Sequence, residues 1–232
     1  VHWPTRTIYV GTGENNASRS SYAGIGILKS TNNGQTWANV GLMDAHHFAP
    51  LLIHPDNPDV VTVGVTGHLY SKNNERGIYK TTDGGKTWKQ TLYVDDMSGI
   101  IDLQQNPNNY NIMFATSWTK DRKAWHFLGN GSNSAIYKST DAGETWTKVS
   151  TEKSGFPNGD GVGRIGMAVF NDNVVYAVHD NQYRRLKKSS TSDNNKGLDK
   201  GDFKSMSTSD FLALDDKKLT TFLRSNRFQE KY

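Results

Sequence analysis

The sequence predicts an all-β protein built from repeated units, and three observations lead to that prediction. An eight-residue stretch, the octet, occurs three times, as STNNGQTW (30–37), TTDGGKTW (81–88) and STDAGETW (139–146). Each octet follows a short strand-like segment, and more β-rich segments lie upstream of it. The composition, with 22 glycines and 11% aromatic residues among 232, is typical of many short strands joined by turns.

Each repeat is predicted to contain four strands. In the second repeat, one strand stops at the turn HPDNPD (54–59), the next covers 60–67, and GIYKT (77–81) leads into the octet. Four antiparallel strands per repeat are typical of a β-propeller blade, which must stack on neighbouring blades to bury its faces. We predict three complete blades and part of a fourth within a propeller domain 1–182, at about 1–42, 43–94, 95–152 and 160–182.

The chemistry of the octet predicts a tight hairpin turn with a packing anchor. Asp83 can accept hydrogen bonds from nearby backbone N–H groups, Gly85 can adopt a positive φ, and Trp88 brings a large apolar ring to the outgoing strand. The equivalent residues of the other octets are Asn32, Gly34, Trp37, Asp141, Gly143 and Trp146. We therefore assign the octets a structural role rather than a catalytic one.

The octet pattern, Ser/Thr-x-Asp-x-Gly-x-Thr-Trp, resembles the Asp-box, also called the BNR repeat. The stretch from YVGTGENN to VVYAVHD, within residues 7–180, resembles the bacterial Asp-box propellers grouped with the sortilin-type domain, which are often labelled glycosyl-hydrolase-like. Those propellers have six, seven or ten blades, so the resemblance implies a fragment of a larger propeller. Sialidase activity is not expected, because the Arg-Ile-Pro signature of that class is absent and GRIGM (163–167) is the nearest sequence.

Propeller geometry predicts where a functional site lies. The octets and the turns after the first strands share one face, whereas the long loops 13–24, 67–77 and 117–134 emerge on the other. Loops on a rigid scaffold are where binding and catalytic residues concentrate. We therefore expect the site on the face opposite the octets.

Several residues on that face are candidates for ligand binding. Trp118, Trp125 and His126 could form a stacking platform for a sugar ring or a peptide side chain, unless Trp125 only packs its loop. Glu75 and Arg76 either contact a substrate or pair with the backbone or with each other. The full set of ligand-binding candidates is Trp118, Trp125, His126, His47, His68, Glu75, Arg76 and Arg164.

Metal and catalytic sites receive weaker support. His46, His47 and His68 could ligate zinc, but their spacing matches no metal signature, so we predict no metal and no cofactor. Asp95, Asp96 and Asp160 are the catalytic candidates, because two carboxylates facing each other across a cleft could perform glycosidic acid/base chemistry.

The net charge of +4 arises from the C-terminal segment. Residues 183–232 contain 12 Lys/Arg and 7 Asp/Glu, whereas the rest contains 15 and 16, so no nucleic-acid-binding surface is expected. Residues 187–202 predict a flexible loop, and 208–226 predict a short amphipathic helix that Ser209 and Asp210 cap at its start. No run of about 18 apolar residues predicts a transmembrane segment.

These observations favour a secreted or cell-surface bacterial propeller, extracellular or periplasmic, that recognises a peptide, protein or glycan without catalysis. The alternatives are a glycoside hydrolase-like module with paired carboxylates and a purely architectural propeller. We also expect contacts with the remaining blades of a longer chain or with a second copy.

Overall fold

The octets lie between the last two strands of three antiparallel sheets, in a computed structural model that describes residues 1–183 and 197–228. The first sheet, blade 1, has three strands: β1 (Ile8–Gly11), β2 (Ile27–Ser30) and β3 (Ala38–Asn39). It has one strand fewer than a complete blade, because the only pairing ahead of β1 is an isolated bridge from His2 to Thr7.

Blades 2 and 3 are complete, and both have their strands in sequential order. Blade 2 contains β4 (Phe48–Ile53), β5 (Val61–Val65), β6 (Gly77–Thr81) and β7 (Lys89–Leu92). Blade 3 contains β8 (Ser98–Asn106), β9 (Asn109–Thr119), β12 (Ile136–Ser139) and β13 (Thr147–Lys148), with a small hairpin of β10 (Asp121–Arg122) and β11 (Phe127–Leu128) inserted after β9. Blade 4 contains the pair β14 (Val162–Val169) and β15 (Val175–Asn181). These sheets confirm the predicted all-β propeller architecture.

The apolar core lies between blades. Tyr9 and Ile27 of blade 1 pack with Phe48 of blade 2, and Ile78 of blade 2 packs with Ile100 of blade 3. A third cluster joins blades 3 and 4. Because each blade buries its faces against its neighbours, the repetition in the sequence is a requirement of the fold.

Hydrogen bonds repeat from one blade junction to the next. Thr66 Oγ1 donates to Ile100 O (2.8 Å), and Thr116 Oγ1 donates to Ile165 O (2.9 Å), which fixes the first strand of the following blade. On the octet face, Lys29 Nζ donates to Gly84 O (3.2 Å), and Lys80 Nζ donates to Ala142 O (2.9 Å). Each lysine thus joins its own blade to the octet of the next.

The octet turn is closed by side chains. In the second copy, Thr87 N donates to Asp83 Oδ1 (3.0 Å), and Gly85 N donates to Thr81 Oγ1 (2.9 Å). Gly85 has a φ of +93°, and the residue before it also has a positive φ in every copy: 60° at Asn33, 75° at Gly84 and 57° at Ala142. The sequence pattern indicated the glycine but not this second left-handed residue, which side chains tolerate at a cost.

The octet tryptophans pack against the preceding blade. Trp88 Nε1 donates to Val40 O (2.7 Å) at the end of blade 1, and Trp146 Nε1 contacts Thr91 Oγ1 of blade 2 (3.2 Å). Trp37 has no preceding blade within the described residues, remains 44% exposed, and donates to Gly34 O of its own turn.

The turns after the first strands lie on the octet face, as predicted. Gly84 N donates to Asp59 O (2.9 Å), and Ala142 N donates to Asn111 O (2.9 Å), so the second and third octets each contact the turn of their own blade. The opposite ends of the strands carry the long loops.

The described α-helices belong to the second of two compact units, Arg185–Tyr232, while the sheets and two short 3-10 helices, Met43–Ala45 and Glu152–Ser154, lie in Val1–Arg184. The α-helices are α1 (Asp202–Ser205), α2 (Thr208–Leu212) and α3 (Asp216–Ser225). The predicted start was wrong, because Ser207 rather than Ser209 caps α2, in a capping box with Asp210. The predicted single helix is divided, because the Asp215 side chain accepts from Lys217 N and Lys218 N and starts α3 anew.

The flexible-loop prediction for 187–202 falls largely on residues 187–196, which lie outside the described residues. Within the described residues, no helix has both the length and the apolar character needed to cross a membrane.

Candidate functional site

In blades 1, 2 and 3, the long loops that precede the strand leading into each octet form one connected surface, the loop face. These loops cover residues 12–26, 66–76 and 120–135. Tyr70 Oη of the second loop donates to Arg19 O of the first (2.6 Å), and Arg122 Nε of the third donates to Ala17 O of the first (3.1 Å). The three loops therefore support one another.

The third loop projects a two-stranded arm with a tryptophan at its tip. Strands β10 and β11 pair, Lys123 N donates to His126 O (2.7 Å), and Trp125 lies in the turn between them with 85% of its surface exposed. The Arg122 guanidinium lies over the Phe127 ring, 4.0 Å from its centroid, and stiffens the base of the arm. The predicted candidates Trp125 and His126 thus both lie at an exposed tip.

Each of the three loops presents at least one exposed aromatic ring. Tyr22 is 82% exposed, Tyr70 is 48% exposed, and Trp125 completes the set. Sequence reasoning missed the two tyrosines, although an aromatic residue within a Ser- and Asn-rich loop is the signal that could have identified them. Large exposed rings on connected loops are typical of a recognition surface.

Trp118 supports the arm from beneath. Its ring is buried, Nε1 donates to Gly129 O (2.8 Å), and Phe127 packs against it edge-on with centroids 5.9 Å apart. The Arg164 guanidinium of blade 4 lies 5.8 Å from the ring centroid. This burial leaves Trp118 no open face on which a sugar ring could stack, in contrast to the prediction from sequence.

Arg76 is a buried residue that holds backbone segments together. It is 1% exposed, and its guanidinium donates to four backbone carbonyls, those of Thr66, His68, Ser71 and Met97, at 2.7–3.3 Å. Burial lowers its pKa to about 10, so the side chain stays charged at neutral pH. Of the two predicted roles, the geometry favours pairing with the backbone over contact with a substrate. Its neighbour Glu75 accepts from Asn73 Nδ2 (3.1 Å) within the same loop.

Lys120 is a second buried cation that sequence reasoning did not identify. It is 2% exposed, and Nζ donates to His68 O (2.9 Å). Burial, together with the charges of Arg76 and Arg122, lowers the pKa of the amine to about 7. Arg76 and Lys120 thus hold the second loop by its carbonyl groups.

The histidines lie together but are engaged in structural contacts. The His46 and His68 rings stack with centroids 3.7 Å apart, and the His68 nitrogens contact Ser71 Oγ and Asp44 O, each at 2.8 Å. His47 is buried and accepts from Glu14 N (3.1 Å), and burial lowers its pKa to about 4, so it is neutral at pH 7. Over residues 1–183 and 197–228, no cluster of His, Asp and Glu has the make-up of a metal site.

Two of the three catalytic candidates are committed to local contacts. Asp95 accepts from Met97 N (2.7 Å), Ser98 N (2.5 Å) and Asn133 Nδ2 (2.6 Å). Burial acts to raise the pKa of Asp95, but these hydrogen bonds outweigh it and leave the pKa below its ordinary value. Asp96 forms an ion pair with Lys72 (3.3 Å).

Asp160 lies at a cavity on the loop face. This cavity, the loop pocket, has a volume of about 380 Å³ and is lined by Thr119, Leu128, Asn130, Gly131, Ser132, Asn133 and Asp160. Its lining is mainly amide, hydroxyl and carboxylate, and Leu128 belongs to the arm that carries Trp125. The pocket therefore combines polar groups with a nearby exposed aromatic ring.

Comparisons with known proteins agree with the architecture. The family model Sortilin-Vps10, described as sortilin, neurotensin receptor 3, matches residues 26–226. A xyloglucanase from Paenibacillus sp. is 23% identical over 164 residues, which cover 63% of this chain and 15% of that protein. The chain thus spans about a seventh of that relative.

Two solved enzyme structures align with part of the chain. A GH74 xyloglucanase from Xanthomonas campestris aligns with a TM-score of 0.48 and 17% identity over 78% of this chain and 26% of its own. A GH74 enzyme from Niastella koreensis aligns with a TM-score of 0.34 and 15% identity over 62% of this chain and 28% of its own.

Proposed function

The chain belongs to the Sortilin-Vps10 family, and from that premise we propose that it is a non-catalytic recognition module that binds a glycan on its loop face. One observation carries the proposal: three connected loops each expose an aromatic ring beside a polar pocket. We propose an extracellular or periplasmic location, where such ligands occur.

The chemistry of this surface suits a sugar chain. An aromatic ring covers the apolar C–H face of a sugar, while amides, hydroxyls and carboxylates bond its hydroxyl groups. Tyr22, Tyr70 and Trp125 supply the rings, and the loop pocket supplies the polar groups. The name of the Paenibacillus relative, a xyloglucanase, is in keeping with a polysaccharide ligand.

The contacts that Asp95 and Asp96 already make favour binding over hydrolysis. Glycosidases of the common type need two carboxylates on opposite sides of the scissile bond. Asp95 is held by backbone N–H groups and Asn133, and Asp96 is paired with Lys72. Because both carboxylates already have partners, these contacts support binding more than the paired-carboxylate alternative.

Trp125→Ala tests the proposal. We expect the full chain to bind soluble xyloglucan or cellulose oligosaccharides, and the substitution to weaken binding by roughly tenfold, because an exposed aromatic anchor is lost. Isothermal titration calorimetry measures the affinity directly.

Trp3→Ala is the matched control. Trp3 is also highly exposed, but its neighbour His2 contacts Pro55 O in the turn on the octet face. Trp3→Ala should therefore leave the affinity for the oligosaccharides unchanged. Equal losses in both variants, or release of reducing sugar ends by the unmodified chain, would contradict a non-catalytic site on the loop face.

A further inference from the structure

The loop pocket contains hydrogen-bond acceptors that no group of the described residues engages. Asn130 Nδ2 donates to Asp160 O (2.5 Å), and Asn133 Nδ2 donates to Asp95 Oδ2 (2.6 Å). A carbonyl and a carboxylate can only accept, so these contacts fix the orientation of both amides. The amide oxygens of Asn130 and Asn133 are therefore the atoms left for a ligand.

The carboxylate of Asp160 is also unengaged. Across the described ranges, its side-chain oxygens form no hydrogen bond or ion pair with the protein, and the residue is exposed to solvent. Lys148 approaches the pocket but donates to Ser132 O (3.4 Å). The pocket thus offers two amide oxygens and one anionic carboxylate.

The charged side chain in the pocket lining is a carboxylate. Among the described lining residues Asp160 carries the charge, Asp95 lies directly behind Asn133, and the Lys148 ammonium contacts only the backbone oxygen of Ser132. A second carboxylate at that position adds to the negative potential at the amide oxygens. A neutral hydroxyl group has one hydrogen to donate and would satisfy one of these acceptors. An ammonium group has three donors, enough for the Asp160 carboxylate and both amide oxygens, and its positive charge complements the carboxylate.

We propose that the loop pocket binds the ammonium group of an amino sugar. The inference rests on the proposed glycan-binding function and assigns the ligand class: a glycan with free amino groups rather than a neutral one. The sugar ring packs beside the arm that carries Trp125, and its ammonium donates to Asp160, Asn130 and Asn133.

The test compares three tetrasaccharides of similar size by calorimetry on the full chain. They are the glucosamine tetramer, the N-acetylglucosamine tetramer and cellotetraose, at pH 6, where a free amine with a pKa near 8 is protonated. N-acetylation removes the charge and keeps the ring. We expect the glucosamine tetramer to bind on the order of fivefold more tightly than the other two, and high salt to reduce the difference.

Asp160→Asn should abolish this preference, so that the three tetrasaccharides bind with similar affinities. Asp56→Asn, an exposed aspartate in the turn on the octet face, is the control and should keep the preference. Equal affinities for all three sugars, or a preference that survives Asp160→Asn, would overturn the inference and leave the glycan-binding function standing. Loss of the preference in Asp56→Asn would also overturn it, because it would indicate attraction to the general surface charge.

Two further outcomes separate a failure of the proposed glycan-binding function from a failure of the amino-sugar assignment. If none of the sugars binds, the proposed function fails together with the inference. If a lysine-rich peptide displaces the glucosamine tetramer from the wild type and binds more tightly than any sugar, the pocket recognises amines of peptides, and the sugar assignment is overturned.

Discussion

At the scale of single residues, the octet glycines share one backbone conformation but differ in the atoms that surround them. Gly34, Gly85 and Gly143 all have φ between +83° and +93°. A Cβ at Gly85 would lie 2.8 Å from Val40 Cβ of the preceding blade, whereas one at Gly34 would meet Trp37 at an ordinary 3.7 Å. Backbone strain is therefore common to both positions, and the steric clash is confined to Gly85.

Gly85→Ala should consequently destabilise the chain more than Gly34→Ala. The left-handed backbone costs each variant about 1 kcal/mol, and overpacking against Val40 adds about 1–3 kcal/mol at Gly85. Urea unfolding gives the two free energies of unfolding. Equal losses of unfolding free energy in the two variants would mean that Val40 moves aside without cost, contrary to the packing described.

Lys120 is a buried cation that forms no ion pair with a carboxylate of the described residues. Its folded-state pKa of about 7 lies below the ordinary lysine value of 10.5, so between these limits the unfolded chain binds a proton that the folded chain has released. Stability must then increase with pH across this window, by at most about 1.4 kcal/mol per pH unit. Below pH 7 the amine is protonated in both states, and the desolvation cost is constant.

We therefore expect the free energy of unfolding to rise between pH 7 and 9, and Lys120→Met to flatten that rise. Urea titrations at pH 7, 8 and 9 measure the slope. Lys86→Met, at an exposed lysine of the second octet, is the control and should retain it. An unchanged slope in Lys120→Met would assign the effect to another group.

At the scale of elements, the junction between blades depends on the octet tryptophans. Trp88 reaches the end of blade 1 and bonds Val40 O, whereas Trp37 bonds only its own turn. Trp88→Ala removes a half-buried ring and leaves a carbonyl without its donor, at about 2–3 kcal/mol, while Trp37→Ala should cost less than about 1 kcal/mol. Thermal unfolding of the two variants side by side checks this difference.

The blades could be predicted from the sequence because their signals are local. An octet, a strand and an Asn/Pro turn are each encoded within a few residues, and Trp88 was assigned its packing role on that basis. Arg76 and Lys120 could not be assigned in this way, because their burial depends on loops from different blades. Tyr22 and Tyr70 were missed for the same reason, since only the folded loops bring them to one surface with Trp125.

At the scale of the whole molecule, blade 4 presents an apolar face. In β15, Tyr176 and Val178 are exposed, and within residues 1–183 and 197–228 the outer edge of this strand has no paired neighbour. Open strand edges with apolar side chains favour association with other chains.

The chain alone should therefore self-associate as its concentration rises, and Val178→Lys should reduce the association. Sedimentation velocity over a range of concentrations measures it. Leu212→Lys, at a similarly exposed apolar residue of α2, is the control. If the chain remains a monomer at all concentrations, the exposed apolar face of β15 does not drive association, and the prediction is wrong.

The lysine contacts between blades have a consequence for how such proteins diversify. Lys29 and Lys80 bond the main chain of the next octet, at Gly84 and Ala142, and each also pairs with a carboxylate of the next blade, Asp59 or Glu144. A duplicated or exchanged module that keeps both this corner and the carboxylate would offer the lysine the same partners, and natural variation would be free to reshape the loops at the far end of each module.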